Sequence, residues 1–185
     1  LMKIAFTGAQ GTGKSTLVNY LADNDIKEIE GYTFVKEVTR RIQRQFNLDI
    51  NEKGSLTTQL LIITDHIVNL RKPKVVMDRC ILDALVYTRW LCDYNPGIPN
   101  WVYDYCENVF KSYINQYDII FYLKPEFDLV SDGVRSDDTD FRDDIADLFE
   151  TYINNFGVEV VELTGTVKQR VKQIKKAINE HTKSN

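Results

Sequence analysis

The strongest chemical signal lies near the start of the chain. Gly8-Ala9-Gln10-Gly11-Thr12-Gly13-Lys14-Ser15 fits G-x-x-x-x-G-K-[ST] in full. In such a loop the glycines let the backbone curl until successive N–H groups point inward at phosphate oxygens. A helix opening near Lys14 adds its positive N-terminal end. Lys14 is expected to reach the β- and γ-phosphates, Ser15 to bind Mg²⁺, and Thr16 to supply a further helix-start hydroxyl. Gly8, Gln10, Gly11, Thr12, Gly13, Lys14, Ser15 and Thr16 are therefore the candidate triphosphate-binding set. The spacing is not G-x-G-x-x-G, which excludes the dinucleotide reading. No Asn-Lys-x-Asp motif for reading guanine is present, so ATP is the expected nucleotide.

A second motif bears on the reaction class. Val75-Val76-Met77-Asp78 reads as a hydrophobic strand ending in an acid, which makes Asp78 a candidate partner of Mg²⁺, directly or through water. ATP-driven motors usually follow that acid with a Glu that orients a hydrolytic water. Arg79 stands there instead, which suits a kinase, because a kinase must suppress water and supply its own acceptor. On the acceptor side, Glu37 follows a short apolar run and is suited to take or orient the proton of an acceptor hydroxyl. The sequence leaves open whether Glu37 or Asp78 is the base. Arg40, Arg41 and Arg44 offer guanidinium forks for a phosphate or another acidic group. The plainer alternative is a solvated helix face in which Glu37 pairs with Arg41 at i, i+4, worth about 0.3–0.5 kcal/mol.

Phosphoryl transfer also needs positive charge over the triphosphate. Asp132-Gly133-Val134-Arg135-Ser136, followed by Phe141-Arg142, reads as a mobile lid that delivers it. Arg135 and Arg142 lie seven apart and share a face if the chain is helical from Ser136 onward. The alternative is an acidic helix start, with Asp137, Asp138, Asp140, Asp143 and Asp144 balanced by the arginines. The candidate catalytic set is thus Lys14, Glu37, Asp78, Arg135 and Arg142. The acceptor set is Glu37, Arg40, Arg41, Asp78 and Arg79, and the metal set is Ser15 and Asp78.

These residues need a scaffold, and the hydrophobic pattern predicts one. Strands are expected at Lys3–Thr7, Tyr32–Val35, Lys74–Met77, Asp118–Leu123 and Val158–Glu162. Helices are expected at Lys14–Ala22, Leu56–Leu70, Ile81–Asp93 and Trp101–Ile114. Further helices carry Val38, Ile42 and Phe46; Ile145, Leu148, Phe149, Tyr152 and Ile153; and Val167, Val171, Ile174 and Ile178. The run 126–139 reads as loop. Short strands alternating with helices imply parallel βαβ units in an α/β fold, with ligands at the carboxyl ends of the strands. Every motif above falls at such an end.

Composition agrees. A length of 185 residues predicts a single domain over 1–185, with a lid at about 125–142. The formal net charge of −4 argues against a protein built to coat nucleic acid. No apolar run approaches the length of a membrane span, and no signal-peptide pattern is seen. The three cysteines, Cys80, Cys92 and Cys106, lack metal-type spacing and read as reduced thiols, which predicts a cytoplasmic protein. Lys168, Arg170, Lys172, Lys175 and Lys176 read mainly as a solvated helix face. The aromatic residues Trp90, Trp101, Tyr103, Tyr105, Phe110 and Tyr113 read mainly as core. His66 sits beside apolar neighbours and is assigned no chemistry, and His181 lies in the tail.

With these residues in view, the sequence resembles the small P-loop kinases and ATPases grouped with the ribosylnicotinamide kinase domain of bacterial NadR, a pattern shared with phage proteins. The resemblance rests on Gly8–Ser15, Glu37 with Arg40 and Arg41, the Gln59…His66 helix, Asp78, Tyr117-Asp118, and above all Asp132-Gly133-Val134-Arg135-Ser136 with Phe141-Arg142. At Asp78-Arg79 the chain is also similar to the Asp-Arg of thymidylate-kinase relatives. The resemblance implies a three-layer, nucleotide-kinase-like P-loop fold with a five-stranded parallel sheet in the order 2-3-1-4-5. It implies Arg135 as a lid arginine and Asp78 as a metal or substrate acid, and relatives of this size often form homodimers. The expected activity is transfer of the γ-phosphate of ATP to a small nucleoside- or nucleotide-type acceptor. Two alternatives stand beside it: a kinase acting on a hydroxymethylated base or an end in DNA, and an ATP-binding switch.

Overall fold

Strand Lys3–Thr7 (β1) alternates its side chains between two cores, as the period-2 geometry of a strand requires. Ala5 faces one core; Ile4 and Phe6 face the other. In the computed structural model, which describes residues 1–126 and 139–184, β1 leads through the phosphate loop into helix Lys14–Asp23 (α1). Then follow Thr33–Val35 (β2), Val38–Phe46 (α2), Leu56–Asn69 (α3), Val75–Asp78 (β3), Ile81–Tyr94 (α4) and Asn100–Tyr113 (α5). Ile119–Tyr122 (β4), Thr139–Phe156 (α6), Val161–Glu162 (β5) and Val167–Ser184 (α7) complete the described elements.

The strands form one sheet in the order β2-β3-β1-β4-β5, and every pairing is parallel. This is the predicted order. The register sets Phe6 beside Asp78 and Thr7 beside Tyr122, so the ends of the three central strands are level. Val75 and Met77 of β3 and Ile120 and Tyr122 of β4 pack under α3–α6 with Ile63, Leu85 and Phe149. Val76, Ile119 and Phe121 face α1 and α7 with Leu17 and Ile174. The Phe6 and Phe121 rings stack at 5.1 Å across the β1–β4 pair. The result is a three-layer sandwich in which helices cover both sheet faces.

Three strands are shorter than the pattern predicts: β4 by one residue at each end, and β5 and β2 at their starts, where local hydrogen bonds account for it. Val158 N–H donates back to the Ile153 carbonyl, closing α6, so pairing with β4 starts only at Val161. Tyr32 N–H donates to Ile29 and completes a 3₁₀ turn, which delays β2 to Thr33. At the end of β1 the chain turns at Gly8, with φ +135°, where a Cβ would stand 2.3 Å from the Leu123 carbonyl oxygen. Only glycine lets the phosphate loop leave the sheet this close to the chain beyond β4. Among the described residues no helix is long and apolar enough to cross a membrane.

Candidate active site

The phosphate loop is fixed from both ends. Gly13 caps α1 in the left-handed region at φ +89°. Lys14 is buried, and its Nζ donates to Gly8 O at 2.7 Å, to Ala9 O, and to Thr12 Oγ1 at 3.1 Å. From the far side, the buried Arg170 of α7 donates from Nη1 to Thr12 O at 2.9 Å and from Nη2 to the Glu126 carboxylate at 3.1 Å. One guanidinium fork thus joins the loop backbone to the segment after β4. The sequence reading had placed Arg170 on a solvated face.

Ser15 and Asp78, the two metal candidates, come together. Ser15 Oγ donates to Asp78 Oδ2 at 2.6 Å across the β1–β3 boundary. A hydroxyl beside a carboxylate is a hard, oxygen-only donor set of the kind Mg²⁺ takes, the rest of its shell coming from phosphates and water. Among the described residues no group of three or more His, Cys, Asp or Glu is placed to hold a metal ion.

Glu37 and Arg79 share an unusual backbone state. Glu37 follows β2 at φ +52° and Arg79 follows β3 at φ +82°. Non-glycine residues rarely adopt this region, and the strain persists only where surrounding contacts hold it. For Arg79 those contacts are visible. Its N–H donates to Phe6 O at 2.9 Å, and its guanidinium donates to Asp83 Oδ1 at 2.9 Å and lies 5.0 Å over the Tyr87 ring. Burial opposes the Arg79 charge, but Tyr87, Asp83 and Asp78 together hold the guanidinium above its ordinary pKa. Glu37 lies 3.6 Å from both Arg40 and Arg44. The Glu37–Arg41 pair of the plainer alternative is replaced by contacts of Glu37 with Arg40 and Arg44, while Arg41 pairs with Asp65 on α3.

One open cleft of about 900 Å³ gathers these groups. Gln10, Gly11, Thr12, Gly13, Lys14 and Ser15 of the loop line it together with Glu37, Arg40, Asp78 and Arg79. Arg41 and Thr16 are exposed and do not line it. Arg142 lies on α6, bonded to Asp143 at 3.1 Å, and is not among the described cleft residues. Arg135 and the rest of its motif lie outside the described residues.

No site role is read from the sequence for Gln59, His66, Asp83 or Tyr87, although the resemblance draws in the Gln59…His66 helix; all four line the cleft. Asp83 is buried and accepts from Thr7 Oγ1 at 2.6 Å and from Cys80 N at 2.9 Å. Its reciprocal cap with Cys80 closes the start of α4, but Cys-x-x-Asp lacks the Ser/Thr and Glu/Gln that mark a capping box in sequence, so no signal flags it. Tyr87 donates its hydroxyl to Gln10 Oε1 at 2.9 Å, and Gln59 Oε1 accepts from Thr88 at 3.1 Å. Burial lowers the His66 imidazole from 6.5 to about 4, so the ring is neutral near pH 7. Burial also raises the Cys80 thiol well above its usual range, which makes it inert.

Comparison with known proteins places this geometry. The sequence profile of an AAA domain family matches residues 3–170. No curated protein sequence matches the chain. Among solved structures, the NadR protein in complex with NR is similar at TM-score 0.73 and 22% identity, over 98% of this chain and 51% of that one. The chain therefore spans about half the length of that protein. Deoxyadenosine kinase from M. mycoides with bound dATP is similar at TM-score 0.66 and 20% identity, over 97% of this chain and all of that one. At these identities the likeness concerns the fold, a nucleoside-kinase-type P-loop sandwich. The phosphate loop, the acid that ends β3, and the profile match together place the chain in the AAA domain family AAA_28, among the P-loop kinases and ATPases.

Proposed function

We propose that the protein is a kinase that moves the γ-phosphate of ATP to a hydroxyl or phosphate of a nucleoside- or nucleotide-type acceptor. One observation carries the reading: Glu37 and Arg79, both held at positive φ at adjacent strand ends, line a single cleft with the phosphate loop. Strained carboxylate and guanidinium groups facing a triphosphate site serve acceptor chemistry better than water activation. The absence of a Glu after Asp78 points the same way. Kinship of fold with nucleoside kinases supports the acceptor class.

In this reading the loop N–H groups and Lys14 bind the triphosphate and draw charge from the transferring group. Ser15 and Asp78 would hold Mg²⁺, which when bound neutralises phosphate charge. The Ser15 contact of Asp78 supports placing Asp78 on the metal side and giving the role of base to Glu37, which would exchange its Arg40 and Arg44 contacts for the acceptor hydroxyl. The acceptor oxygen attacks the γ-phosphorus, the bond to the β–γ bridging oxygen breaks, and ADP leaves. The acceptor proton passes to Glu37. Arg79, braced by Asp83, and Arg40 orient the acceptor and balance its charge. Arg135 and Arg142 are proposed to add positive charge above the triphosphate, and the site is proposed to act in a cytoplasmic homodimer.

The test uses γ-labelled ATP, Mg²⁺ and an acceptor panel of nicotinamide riboside, deoxynucleosides, their monophosphates, and duplexes with and without hydroxymethylated pyrimidines. Label should pass to one small molecule. Lys14→Ala should fold normally and lose about a hundred- to a thousandfold of that transfer. Label on a duplex would establish a DNA kinase instead. Label found only as inorganic phosphate would overturn the kinase reading in favour of a nucleotide switch.

A further inference from the structure

Two buried polar atoms in the described structure have no hydrogen-bond partner and belong to residues lining the cleft. They are His66 Nε2 and Gln10 Nε2. His66 is 1% exposed and Gln10 is 3% exposed. More than nine-tenths of buried polar groups find a partner, and one that does not is costly to the fold. Glu28, Glu52 and Arg170 carry the other such atoms among the described residues, and none of those three lines the cleft; these two meet in it, one from α3 and one from the phosphate loop.

Each is also held in place. Gln10 Oε1 already accepts the Tyr87 hydroxyl at 2.9 Å, so the amide is left with its donor end unused. His66 sits on α3 two turns beyond Gln59, with Ile62 between them, and all three line the cleft. This wall is apolar in its middle and polar at both ends. A flat heterocycle with a polar edge suits such a wall. A buried imidazole stays neutral, so it serves an uncharged polar group and not a phosphate. A neutral ring nitrogen donates or accepts according to tautomer, and so pairs with an amide, an exocyclic amine or a ring nitrogen.

Resting on the kinase reading above, we infer that His66 is a specificity-determining residue. Its Nε2 would hydrogen-bond the base or carboxamide edge of a nucleoside acceptor, with the Gln10 amide as a second donor in the same cleft. The acceptor is then a nucleoside with a polar heterocycle, and neither a bare sugar nor a phosphate monoester of a simple alcohol.

The chain has only two histidines, His66 and His181, which permits a direct readout. Imidazole ¹⁵N spectra of the whole protein would be recorded with a non-hydrolysable ATP analogue and Mg²⁺. Deoxyadenosine, deoxycytidine and nicotinamide riboside would be added in turn, with ribose as control. One nucleoside should shift the His66 Nε2 signal while His181 and the ribose control stay still. For that nucleoside, His66→Leu should raise KM about tenfold or more and leave the KM for ATP unchanged. His66→Asn, which keeps a polar group, should recover part of the loss. If His66→Leu does not fold, the wild-type spectrum alone decides.

The outcomes separate the two readings. Phosphate transfer to a nucleoside with a silent His66 ring overturns the assignment and leaves the kinase reading standing. A shifted ring without transfer to that nucleoside leaves His66 as a base-contacting residue but overturns its role in choosing the acceptor, with the kinase reading left to the acceptor panel above. A panel that neither shifts the ring nor takes phosphate overturns the assignment, and the wider acceptor panel above then decides the kinase reading. A folded His66→Leu with unchanged KM overturns the assignment whatever the spectrum shows.

Discussion

Asp83 accepts from a strand hydroxyl, a helix N-cap N–H and a guanidinium at once. Replacing it with Ala leaves Arg79 without its carboxylate and two fully buried donors unmet. Asp83→Ala should cost about 3 kcal/mol in urea denaturation, and Asp83→Asn should cost clearly less. His66 gives a second test, through pH. Its folded pKa of about 4 lies below the ordinary 6.5, so the unfolded chain takes up the proton first as pH falls. The stability it permits is complete above 6.5 and is lost on the way down to 4. By pH 5 the loss is about 2 kcal/mol. His66→Leu lacks this component, so its stability relative to wild type should rise by about that amount between pH 7.5 and 5. Equal pH slopes for the two proteins would refute the titration. At this scale the sequence yields Lys14, Ser15 and Asp78, because a motif fixes both residue type and spacing. It conceals His66 and Tyr87, because a polar residue on an apolar helix stripe carries no mark of facing a cleft.

The elements that hold the loop carry their own prediction. Arg170 on α7 bridges Thr12 and Glu126, so the shape of the phosphate loop depends on a helix far along the chain. Arg170→Leu should fold and bind ATP about tenfold more weakly by calorimetry, since the loop must then be ordered at the expense of binding. Arg170→Lys should not restore affinity, because one ammonium cannot reproduce the two-pronged contact. Affinity unchanged in Arg170→Leu would show that the loop holds its shape alone. Among the described residues periodicity found every strand and α-helix, since alternation and 3.6-residue spacing are local, but none of the three short 3₁₀ helices. It misplaced the start of β5, which is set by the closure of α6 at Ile153 and not by the apolar character of Val158. The role of Arg170 was hidden for the same kind of reason. Its partners lie 158 and 44 residues away, and helical spacing alone cannot tell a solvated arginine from one turned inward.

For the whole molecule, the sheet order was legible only through the family resemblance, because hydrophobic spacing marks strands but not which strand lies beside which. That order places the first strand of the chain at the centre, between β3 and β4. Fragments ending before Ile119 should therefore fail to bind ATP, although they contain the complete phosphate-loop motif; tight binding by such a fragment would refute this. The consequence reaches into biosynthesis. Lys3 N–H donates to Asp118 Oδ2, 115 positions away, so the central strand cannot be enclosed until that much chain has emerged. At about 5–20 residues per second, that is roughly 6 to 23 seconds in which an apolar strand waits on the ribosome with one flank uncovered. Nucleotide cannot rescue the nascent chain in that interval, because the loop that would grip it does not yet exist. Expression yield should then depend more on how fast β4 is synthesised than on cellular ATP.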